Sequence, residues 1–106
     1  MKKTFVSFLP PSEFKRLISL MSNVNINVKE EYGMCVHVGN ECHILINNDP
    51  SLSDQDKQII LWHEKGHALG IIDEEGADRY ALKHLSQKAQ DYLISIWTER
   101  HGHPYR

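Results

Sequence analysis

The sequence has few cysteines, little net charge and no long apolar run, and each shortage excludes a class of protein. Two cysteines among 106 residues do not make a disulfide framework. A net charge of −2 gives no support for a nucleic-acid-binding or anionic-membrane surface. No apolar run approaches the roughly 20 residues of a membrane span, and the interrupted apolar start lacks a signal-peptide cleavage pattern. We therefore predict one soluble domain over residues 1–106, located in the cytoplasm, with neither nucleic acid nor membrane as a partner.

The chain does contain a His-Glu-x-x-His pattern, formed by His63, Glu64 and His67. On a helix, residues four apart lie about 40° apart around the axis, so the two imidazoles can converge on one tetrahedral zinc ion. Glu64 projects about 100° from His63, where its carboxylate can take a proton from a zinc-activated water. The pattern therefore predicts a zinc metallopeptidase with one Zn²⁺ per chain, His63 and His67 as ligands and Glu64 as the general base.

The surroundings of this pattern argue against a chance match. The chain has seven histidines, and a chance match would usually lie on a solvated helix face. Here the apolar residues 59–62 lead directly into His63, which predicts a buried helix. Buried histidine and glutamate side chains need polar partners. The context therefore favours a metal site over a chance match.

The remaining segments predict an α+β fold. We expect a small sheet of three to four strands, with an N-terminal helix and the motif helix against it and C-terminal helices packed behind. The predicted strands are 4–9, 24–28, 34–38 and 42–47. The predicted helices are 12–22, the motif helix from a Ser53 cap to a stop at Gly70, one from about 74 to 85, and one from 87 to about 100. Residues 101–106 are predicted to form a loose polar tail.

Two of the predicted strands form a hairpin around Gly39-Asn40, a good two-residue turn. In the predicted register His37 lies opposite Cys42. This register places Cys35, His37 and Cys42 on one face of the hairpin. We interpret them as two reduced core cysteines beside a histidine; a second metal site is the alternative.

A catalytic zinc needs a third protein ligand and an open position. The segment Glu74-x-x-Ala77-Asp78 resembles the Glu-x-x-Ala-Asp signature of gluzincin metallopeptidases. The resemblance implies that Glu74 binds the zinc from a second helix and that Asp78 hydrogen-bonds a zinc-bound histidine. The following residues 79–81 are similar to those of small intracellular peptidases that cleave the repressors of phages and mobile elements.

A second resemblance competes for the third ligand. His-Glu-x-x-His, continued through Gly70 to Asp73, is similar to the metzincin pattern, which implies Asp73 as the ligand. All methionines precede the motif, so the methionine turn of that family is missing. Asp73 is also the natural N-cap of a helix that begins at Glu74. We therefore favour Glu74 and keep Asp73 as the alternative.

The zincin resemblance also bears on the substrate. Zincins place an edge strand above the active-site helix, which implies that strand 43–47 pairs with an extended peptide or protein substrate. The candidates for stabilising the oxyanion are Tyr80, His84, His101, His103 and Tyr105, with helix packing the favoured role for the first two. The alternatives to a peptidase are a zincin-fold binding or regulatory module that holds zinc without turnover, and an α+β interaction domain with a chance motif.

Overall fold

The computed structural model describes residues 3–22 and 32–106. Its elements are β1 (Lys3–Leu9), α1 (Pro11–Ser22), β2 (Gly33–Val38), β3 (Glu41–Asn47), α2 (Asp54–Ala68), α3 (Glu74–Leu82), α4 (Gln87–Ser95) and α5 (Trp97–His101). The predicted α+β class is confirmed. The predicted strand 24–28 lies outside the described residues. Within the two described ranges, no helix is long and apolar enough to cross a membrane.

The sheet has the strand order β1-β3-β2. The hairpin of β2 and β3 is antiparallel in the predicted register, with His37 opposite Cys42. The prediction that residues 43–47 form an exposed edge is wrong, because β1 pairs in parallel with the whole of β3 from its other side. This pairing joins segments far apart in sequence, so no local pattern reveals it. In the described part of the chain the sheet edges are β1 and β2.

Helix α1 begins one residue earlier than its predicted Ser12 cap. The amide of Phe14 donates to the carbonyl of Pro10, and Pro11 occupies the first helical position. A proline suits that position because its fixed φ matches the helix and the amide it lacks would have no helical partner. Helix α1 contacts β3, and Phe14 is fully buried.

Helix α2 begins and ends as predicted. The Ser53 side chain accepts from the Asp56 amide, and the Asp56 side chain accepts from the Ser53 amide, which forms a capping box. The helix ends at Ala68, and Gly70 follows with a positive φ of 103°. On one side α2 packs on the buried sheet residues Cys42, Ile44 and Ile46. On the other side its Ile59 forms a second cluster with Leu85, Ala89, Leu93 and Trp97.

Helices α2 and α3 approach each other closely at Gly66. A Cβ atom on Gly66 would lie 3.2 Å from Cδ1 of Tyr80 and 3.3 Å from Cα of Ala77. The absence of a side chain at Gly66 and the small side chain of Ala77 therefore bring the start of α3 next to the histidines of α2. This agrees with the close helix packing that the alanines of this segment predict.

The C-terminal region differs from its prediction in two ways. The predicted helix 87–100 is divided at Ile96, whose φ and ψ of −101° and 7° end α4 before α5 begins. The predicted loose tail is instead packed against the body. Nε2 of His101 lies 2.7 Å from Oδ2 of Asp78, and the ring of Tyr105 contacts that of Trp97 at 5.0 Å between centroids. The aromatic and imidazole side chains of the tail contact the body of the protein, which the polar composition of the tail did not indicate.

Candidate metal centre

Helix α2 presents the two motif histidines on one face, one turn apart. Their Nε2 atoms lie 3.0 Å from each other. On the far side of each ring, Nδ1 has its own partner: Oδ1 of Asp78 lies 2.6 Å from Nδ1 of His63, and the carbonyl of Ile71 lies 2.7 Å from Nδ1 of His67. These partners fix both ring orientations, so the two Nε2 atoms face the same point.

The same partners assign the tautomers of the two rings. The Ile71 carbonyl can only accept, so Nδ1 of His67 carries the proton and its Nε2 carries the lone pair. An ionised Asp78 makes the same assignment for His63. Two lone pairs that face each other at this distance repel unless a cation or a proton lies between them. The pair is therefore built to receive positive charge.

Glu74, the first residue of α3, supplies a third ligand atom. Its Oε2 lies 2.8 Å from Nε2 of His63, and its Oε1 lies 3.3 Å from Nε2 of His67. A tetrahedral zinc with bonds of about 2.0–2.1 Å holds its ligand atoms about 3.3 Å apart, close to these separations. We call His63, His67 and Glu74 the helix site. Its donor set of two imidazoles and one carboxylate fits zinc.

The alternative ligand Asp73 has a different position and partner. It is the N-cap of α3, and its carboxylate accepts from the amide of Gly76 at 2.7 Å. The Glu74 side chain is 63 % exposed, whereas those of His63 and His67 are 7 % and 15 % exposed. The structure thus brings Glu74 and not Asp73 to the histidines, and the helix site opens to solvent on the Glu74 side.

Asp78 is fully buried and joins the helix site to α5. Besides His63, its carboxylate accepts from Arg100 through Nε at 2.7 Å and Nη2 at 2.9 Å, and from Nε2 of His101 at 2.7 Å. Burial acts to raise the pKa of Asp78. The hydrogen bonds and positive charges of His63 and Arg100 outweigh it and hold this pKa well below its usual range. Asp78 therefore stays ionised and holds the His63 ring.

The charges around His63 also shift its own titration. Burial acts to lower the pKa of His63, but the hydrogen bond that its Nδ1 donates to Asp78 and the negative charges of Asp78 and Glu74 raise it above its ordinary value. The negative potential that favours a proton at this ring also favours a divalent cation.

Glu64 lies beside the helix site in a cleft of about 210 Å³. It is only 2 % exposed, and the cleft wall also includes Tyr32, Gly33 and Arg100. A Cβ atom on Gly33 would lie 3.3 Å from Cγ of Glu64, so the start of β2 rests directly against this side chain. The cleft has the convergent polar groups of a small binding site.

The other polar candidates lie in different surroundings. The ring of His84 stacks on Trp62 at 4.3 Å and contacts Tyr80 at 4.7 Å, which agrees with the helix-packing role favoured for both. Nε2 of His103 faces Glu75. Sequence reasoning missed Tyr32 and Arg100 as cleft residues. Arg100 belongs to no motif, and the only signal available was that a buried Asp78 needs a positive partner.

Comparisons of the chain with models of known protein families, with curated proteins and with solved structures find no match.

Proposed function

We propose that this protein is a zinc-dependent metallopeptidase in which the helix site holds one Zn²⁺ and Glu64 is the general base. One observation carries the proposal: three candidate ligand atoms converge beside the buried Glu64, and a hydrogen bond at Nδ1 orients each of the two histidine rings. A site with only a structural role does not need a carboxylate that lines a cleft next to its ligands.

The residues divide the chemistry among themselves. Zinc, when bound, supplies Lewis acidity for the attack of water on a peptide carbonyl. Glu64 takes the proton of the attacking water and passes it to the leaving amine. Asp78 holds the His63 ring in the tautomer that a metal ligand needs. Arg100 keeps Asp78 ionised and brings positive charge to the cleft wall, which favours a developing oxyanion.

The substrate class of the proposal is a peptide or protein. Because β3 is the central strand, the substrate cannot pair with residues 43–47. The cleft between the start of β2 and α2 is the better place, since it contains Glu64 and opens beside the exposed Glu74. The similarity to repressor-cleaving peptidases and the cytoplasmic location stay predictions from the sequence.

The first experiment compares zinc content in wild type, Glu74→Ala and Asp73→Ala, each purified without added metal. We expect Glu74→Ala to lose about one zinc per chain relative to wild type, since a catalytic zinc has three protein ligands. Asp73→Ala should keep its zinc, because Asp73 caps α3. Equal loss in Asp73→Ala alone would instead support the metzincin-like ligand set.

The second experiment tests turnover with Glu64→Gln. Loss of the general base should lower peptide hydrolysis by about 10²–10⁴-fold while zinc stays bound. The matched control is Glu99→Gln on α5, which should hydrolyse at the wild-type rate. A wild-type protein that binds zinc but cleaves no member of a diverse peptide library would contradict the peptidase and favour the zinc-holding binding module.

A further inference from the structure

A second group of ligand-type side chains lies on the β2–β3 hairpin. We call Cys35, His37 and Cys42 the hairpin cluster. Each offers one ligand atom, and the three atoms lie within 4.8 Å of one another. Alternation along the two strands puts all three side chains on one face, and the antiparallel register brings His37 opposite Cys42. The cluster is therefore set by the strand pairing itself.

The contacts inside the hairpin cluster go beyond two buried thiols. The two sulfur atoms are 2.7 Å apart and are not joined as a disulfide, whose S–S distance would be about 2.05 Å. Nε2 of His37 lies 3.7 Å from Sγ of Cys35, although His37 is at the exposed end of β2. Packing in a core explains the buried Cys42, but it does not explain an exposed imidazole turned toward a sulfur.

We propose that the hairpin cluster is a second metal site, which binds a thiophilic divalent cation of the zinc class. A tetrahedral zinc with Zn–S bonds of about 2.3 Å separates two sulfurs by about 3.8 Å, so the two cysteine side chains must turn apart by about 1 Å to admit the ion. Each thiol gives its proton to solvent on binding. Because His37 is exposed, solvent water would be the fourth ligand.

Charge favours a divalent ion at this position. Cys42 is fully buried among Ile44 and Ala68, where an uncompensated charge is costly. Two thiolates, a neutral imidazole and a divalent cation sum to zero. A monovalent copper ion with the same ligands leaves one negative charge in apolar surroundings.

A metal at the hairpin cluster would fasten β2 to β3. The start of β2 rests on Glu64 through Gly33. The ion would therefore stiffen the sheet against which the cleft is built. Binding of this ion can be tested apart from the proposed peptidase activity, because no ligand is shared between the two sites.

Substitution with Co²⁺ distinguishes the two sites, because the hairpin cluster contains sulfur ligands and the helix site does not. The full chain is reduced with a phosphine, stripped of metal and loaded with Co²⁺, and the thiolate-to-cobalt charge-transfer absorption is recorded in the near ultraviolet. We expect this band in wild type and in Glu74→Ala, because the helix site contains no sulfur. The band should disappear in Cys35→Ser and in Cys42→Ser and weaken in His37→Ala.

The control is His43→Ala, which removes the neighbouring histidine on the opposite face of β3 and should keep the band. If Cys42→Ser does not fold, the half-buried Cys35→Ser decides the test. A second readout is the melting temperature of Glu74→Ala. Added Zn²⁺ should raise it, and should not raise that of Glu74→Ala combined with Cys35→Ser.

Two results would overturn the second site. One is a wild-type protein with both thiols titratable and no charge-transfer band. The other is a disulfide between Cys35 and Cys42 that persists in the reductant. Either result leaves the zinc comparison of Glu74→Ala and Asp73→Ala untouched, so the failure of this inference and the failure of the peptidase proposal are distinguishable. Saturation by Cu⁺ with no response to Zn²⁺ would refute the charge argument.

Discussion

The helix site and the hairpin cluster each bring three ligand atoms together, but they differ in what stands behind those atoms. In the helix site the far nitrogen of each imidazole is held, by Asp78 for His63 and by the Ile71 carbonyl for His67. In the hairpin cluster the strand register alone sets the positions. Among the residues that the structure describes, only the helix site has a buried carboxylate, Glu64, in an adjoining cleft. Convergent ligand-type side chains are therefore common to both groups, whereas hydrogen-bonded ring orientation and a neighbouring buried carboxylate belong to the helix site.

The ligand charges sharpen this difference. Two neutral imidazoles and one carboxylate leave a bound Zn²⁺ with a net charge of +1, which preserves its Lewis acidity. Two thiolates cancel the charge of the ion in the hairpin cluster. We infer that the helix site suits chemistry and that the hairpin cluster suits holding two strands together.

The largest effect is expected when the helix site alone is broken. His67→Ala removes one ligand, so hydrolysis should fall to background and about one zinc per chain should be lost. The cobalt charge-transfer band of the hairpin cluster should not change. Zinc analysis, peptide hydrolysis and the cobalt spectrum measure the three quantities on one preparation. Hydrolysis at the wild-type rate in His67→Ala would contradict the proposed difference between the two groups, because the helix site would then not be the active site.

A smaller effect is expected when Asp78, which holds the His63 ring, is replaced and His63 itself is kept. Asp78→Asn should weaken zinc binding by about 10–100-fold, since the His63 ring loses its charged partner. It should also lower the free energy of unfolding of the metal-free protein by about 3 kcal/mol, because Arg100 and His63 are left without a compensating charge. Competition with a zinc-binding dye and urea unfolding measure the two. The exposed Asp91→Asn is the matched control.

Acid should reduce the stability difference between wild type and Asp78→Asn. The pKa of Asp78 is lowered in the folded protein, so its stabilisation is fully present above its ordinary value of 3.8 and is lost as the pH falls through the folded value. Urea titrations below pH 4 should therefore show the two proteins converging. A difference that stays constant into strong acid would show that charge at Asp78 is not its cause.

The smallest effect concerns the contact between His103 and Glu75, which involves no residue of the helix site or the hairpin cluster. The Pro104 carbonyl and the Glu75 carboxylate raise the pKa of His103, and the contact with His103 and Arg79 lowers the pKa of Glu75. The contact is therefore strongest between about pH 4.5 and 6.5, and it weakens as the pH rises through the pKa of His103 or falls through that of Glu75. In an NMR titration, Glu75→Gln should move the pKa of His103 down toward 6.5, whereas Glu99→Gln should not. Zinc binding should be unaffected by either change.

Sequence reasoning predicted best where the physical cause is local. The helix cap at Ser53 and the hairpin turn at Gly39 each depend on residues a few positions apart. The two histidines could be paired because a helix fixes the geometry of residues four apart.

The rest could not be predicted, because it depends on contacts between distant segments. Arg100 reaches Asp78 across 22 residues, and nothing in the residues around it marks it as a partner of a buried carboxylate. The parallel pairing of β1 with β3 made a supposed edge strand the centre of the sheet. In each case the tertiary arrangement decides which donor reaches Asp78 or which strand pairs with β3. The periodicity of the sequence carries no information about such contacts.

The pairing of β1 has a consequence for the order in which the chain folds during its synthesis. Strand β1 leaves the ribosome before its partner β3, which follows only after α1 and β2 have been made. The β2–β3 hairpin and the α2–α3 pair join neighbouring segments, so they can close with little loss of chain entropy. Until β3 is available, Phe5, Val6 and Phe8 of β1 are in contact with water. These side chains remain more than a third exposed in the folded protein. Strand β1 is thus free to join β3 after the hairpin and the helix pair have formed.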